Sequence, residues 1–315
     1  MQNRVLLGIA CLCIGVAIFS LQDALIKAIS GTYPVTEALA IRALVALPIL
    51  LAVVGYEAGF GALVSKRMGF LTARAAILFA SYTAYYLAIA ALPMADAVAL
   101  YYMTPLIIMV LAGPYLGERV RWQTLAIALV GLAGVLVMLR PGDGLFDWAA
   151  LLSLLSAFLY GFAQLMARKM GDTITASVMT FYQNGFYLLG SLVFAGIFAL
   201  TGVADNVSHP SLLFLMRPWQ WPVMTDFLMM AACGVIAAFG MMLLSQAYRL
   251  APANRVATFE YTGILWTPLW GFLFFAEIPQ ATTVMGAALI VGAGLVALNM
   301  RTGPALPRQN PAGAA

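Results

Sequence analysis

Apolar runs of bilayer-spanning length follow one another through this chain with only a few residues between them, which leaves few folds open. About 20 apolar residues are needed to cross the hydrocarbon core. No water is present there to satisfy the backbone, so a lone span must be a helix. Ten such runs can be read, at 5–29, 35–54, 72–92, 96–116, 122–139, 146–166, 175–200, 223–250, 256–276 and 282–300. Breakers fall between them: Pro34, Pro93, Gly117, Pro141 with Gly142, Gly171, Pro252 and Pro279. The 315 residues are 63% hydrophobic and 9% charged, against about 25% charged in a soluble domain. A soluble globular protein is excluded; the expected class is all-α integral membrane.

Basic residues decide the helix count. The runs 72–92 and 96–116 part only around Pro93, and 223–250 and 256–276 only at Ala251-Pro252-Ala253, so either pair could be one kinked helix. With the N-terminus inside, twelve basic residues fall on the inner side: Arg4, Lys66, Arg67, Arg74, Arg119, Arg121, Arg168, Lys169, Arg249, Arg255, Arg301 and Arg308. Arg140 and Arg217 fall outside, and Lys27 and Arg42 lie within spans. Merging either pair would send later basic loops to the wrong side. Ten helices with both termini cytoplasmic is therefore the self-consistent expectation, in a bacterial-type inner membrane. The net charge of +4 reports orientation here, and no nucleic-acid partner is expected. The first run lacks a clear small-residue cleavage site and is expected to be retained as a span.

Several chemistries drop out. Cys11, Cys13 and Cys233 lie inside apolar runs and the single histidine, His209, lies in a loop. A disulfide framework, a metal site, a histidine relay and a Ser-His triad are thus not expected, nor is any cofactor. The chain contains no HExxH, GxSxG or paired-aspartate motif and no nucleotide-binding P-loop, which argues against an intramembrane enzyme.

Spacing points to an internal duplication. Pro93 and Glu118 are 25 residues apart, and so are Pro252 and Glu277. Each pair brackets the fourth helix of a five-helix half, and each half closes on a glycine-rich helix ending at Arg140 or Arg301. Because five is odd, the halves 1–140 and 146–301 would enter the membrane in opposite senses, followed by a cytoplasmic tail at 302–315. Inverted repeats belong to alternating-access transporters, with the substrate site near the midplane between the halves.

The segments FSLQDALIKAIS, PVTEALAIR and ALPMADAVALYYMTPLIIMVLAGPYLGERV, with the later LAPANRVATFEYTGILWTPLWGFLFFAEIP, resemble the drug/metabolite transporter superfamily, specifically its EamA-type ten-helix members. The resemblance runs from about residue 6 to residue 300. It implies secondary transport of a small metabolite such as an amino acid, nucleotide-like cofactor, vitamin or drug, by import or export. The FEYTGILW stretch looks more similar to members moving S-adenosylmethionine or riboflavin than to aromatic amino-acid exporters. Implied partners are a small-molecule substrate, membrane lipid, and a proton or counter-substrate. Gly131 with Gly134, and Gly286 with Gly292 and Gly294, suggest close helix packing, with a homodimer face as one use. A drug or amino-acid efflux pump of the same fold and a non-transporting receptor are the competing readings.

Ionisable residues inside spans each need a reason, since insertion costs about 2.5–3.5 kcal/mol at the bilayer centre. Asp23, Lys27, Glu37 and Arg42 fall at matched depths on the first two spans and can neutralise one another. They read as an ion network clamping two helices, or as a gate touching substrate. Glu260 has no obvious cation, so a coupling proton, a cationic substrate group, or a bond to Gln164 or a tyrosine would have to accommodate it. Tyr82, Tyr86 and Tyr101, with Asn184 and Trp266, are candidates for lining a substrate cavity, since tyrosine joins an apolar body to a polar tip. Ordinary packing is the alternative for each. Trp122, Trp148, Trp219 and Trp221 fit an interfacial belt. Glu118 and Glu277 lie at helix ends, where capping is the expected role.

Overall fold

The computed structural model describes residues 2–64, 67–92, 94–118, 120–139, 148–201, 209–266, 269–270 and 281–299. These are helical throughout, without a strand among them. The first stretch is α1 (Gln2–Ile29), α2 (Val35–Glu57), a short 3-10 turn at Phe60–Leu63 and α3 (Met68–Ala91). Then come α4 (Met94–Tyr101), α5 (Thr104–Leu116) and α6 (Trp122–Leu139). The later stretch is α7 (Ala149–Met170), α8 (Ala176–Thr201), α9 (Pro210–Met216), α10 (Met224–Leu250), α11 (Ala253–Val256), a 3-10 segment at Ala257–Trp266 and α12 (Ala281–Asn299). Seven helical stretches are long and apolar enough to cross a membrane, and two shorter apolar helices, Trp122–Val137 and Val284–Ala297, join them. Pro93, Arg140, Pro268, Glu277 and Arg301 lie outside the described residues.

The run expected at 96–116 is found as one span at Ala97–Leu116, interrupted within. Pro105, second in α5, has no N–H to return to Tyr101, and the Thr104 hydroxyl takes that carbonyl instead, at 2.7 Å. The interruption at Tyr102-Met103 separates α4 from α5. α5 ends where Gly117 adopts φ +69°, a left-handed cap that glycine enters without a Cβ clash. The segment 257–266 is wound as a 3-10 helix, and α9 lies between α8 and α10. That helix is docked: Ser211 donates to the Leu87 carbonyl at 2.6 Å and Phe214 is buried.

The most extensive contacts all join a helix before residue 140 to an element after 147. α1 packs on α10, α3 on α7, α2 on α8, and α6 on α12. α2 also meets α10, α3 meets α8, α1 meets the 3-10 segment and α5 meets α7. Glycine sets two of these approaches. A Cβ on Gly134 would stand 2.9 Å from the Gly286 carbonyl, and one on Gly131 would stand 2.5 Å from the Tyr261 ring. Both glycines are therefore spent inside one chain.

Burial is inverted relative to a soluble protein. Leu7, Leu129, Leu151, Leu228 and Leu295 face outward, whereas the largest fully buried side chains begin with Arg42, Arg74, Tyr86, Tyr187, Tyr248 and Tyr261. Lipid solvates leucine as well as a core does, so apolar side chains have no drive inward and polar ones do.

Candidate functional site

α3 supplies the spine of the site. Arg74, Leu78, Tyr82 and Tyr86 recur every fourth residue, a stripe that winds slowly around the helix at about 40° per step; all four are buried. The hydroxyl of Tyr86 accepts from Gln22 Nε2 on α1 at 2.9 Å and from Arg42 on α2 at 3.5 Å. Tyr187 on α8 accepts from Gln183 Nε2 at 3.1 Å, and the Arg42 guanidinium lies 4.9 Å from its ring centroid.

Rings extend this nucleus into a continuous lattice. Tyr82 meets Tyr86, Tyr160 and Tyr187 at centroid separations of 6.1, 6.3 and 5.9 Å. Tyr101 joins Tyr85 at 4.8 Å and Tyr160 at 5.7 Å. Tyr101 also touches Tyr102, which reaches Tyr261. Tyr101 and Tyr102 stand at the end of α4, just before its junction with α5, and both join the lattice. Such edge and tilted contacts each contribute about 0.5–1.5 kcal/mol beyond area burial, and their hydroxyls can bond a planar ligand.

Toward the α1 N-terminal end, Glu260 leaves the 3-10 segment and accepts a hydrogen bond from the Tyr248 hydroxyl of α10. The Tyr160 hydroxyl faces the same carboxyl. The tyrosine alternative raised for Glu260 is therefore what the structure contains. Gln164, one turn beyond Tyr160, is fully buried with its side chain toward the Tyr160 hydroxyl. On the facing side Arg74 Nε donates to the Ala163 carbonyl at 3.1 Å and its NH2 to Ser245 at 3.2 Å.

Other expected site residues separate. Glu37 takes the Gln220 N–H at 3.1 Å, beside a bond of 2.9 Å from Trp219 Nε1 to Thr36. It thus holds the 217–223 segment rather than Arg42. Five residues along a helix turn a side chain about 140° at 3.6 residues per turn, so Glu37 and Arg42 point apart. Asp23 is half-buried and within electrostatic reach of Arg42, yet not within 4 Å of it. The side chain of Lys27 lies outside the described residues. Asn184 is buried and donates to the Ala43 carbonyl at 2.9 Å, tying α8 to α2. Trp266 is 38% exposed at the end of the 3-10 segment. Among the described residues, Arg168 and Glu118 form an ion pair at 3.4 Å. Glu118 also accepts the Ala253 and Asn254 N–H groups at 3.2 and 3.3 Å, capping α11.

Sequence reasoning missed Arg74, Tyr160, Tyr187 and Tyr248. Arg74 was counted among inner-segment basic residues, yet it is 1% exposed within α3. Its place eight residues before Tyr82, on the tyrosine stripe, was the available signal.

A multi-pass membrane protein whose interior gathers tyrosine, arginine and glutamate from both ends of the chain is built to pass small molecules: a membrane transporter rather than an enzyme. The chain belongs to the EamA-like transporter family of the drug/metabolite transporter superfamily, whose model matches residues 6–140 and 147–299. It is 28% identical over 274 residues to the pseudopaline exporter of Pseudomonas aeruginosa, covering 87% of this chain and 89% of that one. It is 29% identical to a riboflavin transporter of Rhizobium johnstonii over 66% of this chain and 62% of that protein. Against an S-adenosylmethionine uptake transporter of Rickettsia prowazekii the identity is 24%, over 75% and 74%. A solved crystal structure superposes with a TM-score of 0.73 at 20% identity, covering 94% of this chain and 96% of the other. That likeness concerns the fold.

Proposed function

We propose that this chain is a secondary transporter that carries a small polar, partly aromatic metabolite across a bacterial-type inner membrane by alternating access. The tyrosine lattice between the two stretches of the chain carries the reading, because it offers stacking faces and hydroxyls to a planar solute. Riboflavin and S-adenosylmethionine-like compounds are the first candidates, in line with the FEYTGILW segment and two of the relatives.

Alternating access rests on ten spans in two inverted halves, N-in and C-in. The helix contacts support that arrangement. Numbering the spans one to ten, with α4 and α5 as the fourth and the segment from Ala253 as the ninth, the pairs one–eight and six–three are exchanged when the halves are swapped. So are two–eight with seven–three, and four–six with nine–one, while two–seven and five–ten map onto themselves. A duplicated unit that packs on its own copy produces this exchange.

Glu260 is proposed to carry the coupling proton or meet a cationic group of the solute, with Asp23, Lys27 and Arg42 as the ion network or gate toward the opposite end and Glu37 tying the segment at Gln220 beside them. The test is saturable flux in proteoliposomes loaded with radiolabelled candidates. Intact ligand binding with no flux of any compound would favour a receptor. A second reading, export, is favoured by the coverage of the pseudopaline exporter match; preferential flux from the cytoplasmic face would select it.

A further inference from the structure

We propose that Arg42 and Arg74 form a two-pronged seat for a carboxylate of the transported solute, walled by Tyr82 and Tyr187, so that the protein selects carboxylate-bearing metabolites. This names a substrate class for the transporter reading and rests on it.

Both guanidinium groups are 1% exposed, one on α2 and one on α3. Arg42 stands 4.9 Å from the Tyr187 centroid and 6.0 Å from that of Tyr82. Arg74, on the same stripe of α3 as Tyr82, is within electrostatic reach of the same two hydroxyls. Two cations therefore act on one pair of tyrosines, Arg42 from over the rings and Arg74 from along α3.

Their partners among the described residues are neutral. Arg42 donates to Tyr86, and Arg74 to Ala163 and Ser245. Neither lies within 4 Å of a described carboxylate: the acid nearest Arg42 in effect, Asp23, stays beyond that distance, and Glu118 is taken by Arg168. Glu260 is held by Tyr248. Arg42 Nε is buried without any hydrogen-bond partner. Two buried guanidinium groups with only neutral partners are costly to maintain. A bound carboxylate removes both penalties at once. Its two oxygens match the Nε–Nη edge of a guanidinium side-on, and Arg42 keeps that Nε unspent. The aromatic walls exclude water, which strengthens the pairing.

The test uses the full chain, purified for thermal shift and reconstituted for counterflow. The probes are S-adenosylmethionine and tryptophan, each set against its carboxyl-free analogue (decarboxylated S-adenosylmethionine, tryptamine), with riboflavin as a further carboxylate-free probe. At least one carboxylate probe should bind tighter than its analogue by about tenfold or more, each tenfold being about 1.4 kcal/mol. Arg42→Gln and Arg74→Gln should each abolish that ratio, and the Lys variants should restore part of it. Because Arg74→Gln also removes the bonds to Ala163 and Ser245, the readout is the ratio between paired probes, which a general loss of stability leaves unmoved. Equal binding of carboxylate and analogue, a preference that survives both Gln variants, or no carboxylate binding overturns the seat. Saturable riboflavin flux untouched by either substitution would discard the seat and keep the transporter; absence of flux for every probe would discard both.

Discussion

Two tyrosine hydroxyls at Glu260 account for how a carboxyl group survives in a membrane interior. Tyr248 donates to it and Tyr160 faces it, with no ion pair to a described cation. Glu260→Gln keeps shape and one acceptor, so the protein should fold and retain its thermal stability. If Glu260 handles the coupling charge, proteoliposome flux should fall by about tenfold or lose its pH dependence; an unaltered pH profile would return Glu260 to a packing role. Tyr248→Phe is the complementary change. It strands a buried acceptor and should cost about 1–3 kcal/mol, read as a lower melting temperature. Gln164 is buried beside the Tyr160 hydroxyl. Its replacement by Leu trades that polar contact for apolar burial and should change the melting temperature little, while an effect on affinity would place it in the solute's path.

At the level of helices, two devices fix the packing. Glu118 closes the α1 N-terminal end of the bundle by capping α11 and pairing with Arg168. Arg168 also donates to the Arg249 carbonyl at 3.1 Å, and Arg249 to that of Gly171 at 2.7 Å. Glu118→Ala removes the cap, worth about 1 kcal/mol, and loosens a latch between α5 and α7. Cysteines introduced nearby should become more accessible to labelling, and unchanged labelling would count against a latch. The other device is the glycine approach of α6 to α12. Gly134→Val pushes a side chain into the Gly286 carbonyl and should cost about 1–3 kcal/mol of overpacking. If Gly134 instead served a dimer face, stability of the monomer would hold while the oligomer dissociated in detergent.

For the whole molecule, the exchange pattern of the helix contacts makes topology the decisive measurement. Reporter fusions after Arg67, Arg119, Lys169 and Arg301 should all read cytoplasmic, and an external signal at any of them would break the inverted arrangement. The interior has the same logic as the outside. Lipid neither rewards nor penalises an outward leucine, so the chain's polar groups are what organise its centre. Tyrosines from α3, α4, α7 and α8 meet there with two arginines.

The amino-acid sequence by itself determined the membrane class, most span boundaries and the family. Those depend on local hydrophobic length and on short motifs, which need no partner to be read. The tyrosine candidates were also legible, because Tyr82 and Tyr86 are one helical turn apart. Pairing of charges was not. Asp23 matches Arg42 in depth and Lys27 matches Glu37, but rotation about α2 sends Glu37 to Gln220 and Arg42 to the tyrosines. Arg74 looked like a flanking basic residue until the packing of α3 on α7 and α8 enclosed it. Depth follows from position along the chain, whereas facing depends on helix rotation and on neighbours far away in sequence, and only the tertiary structure sets those.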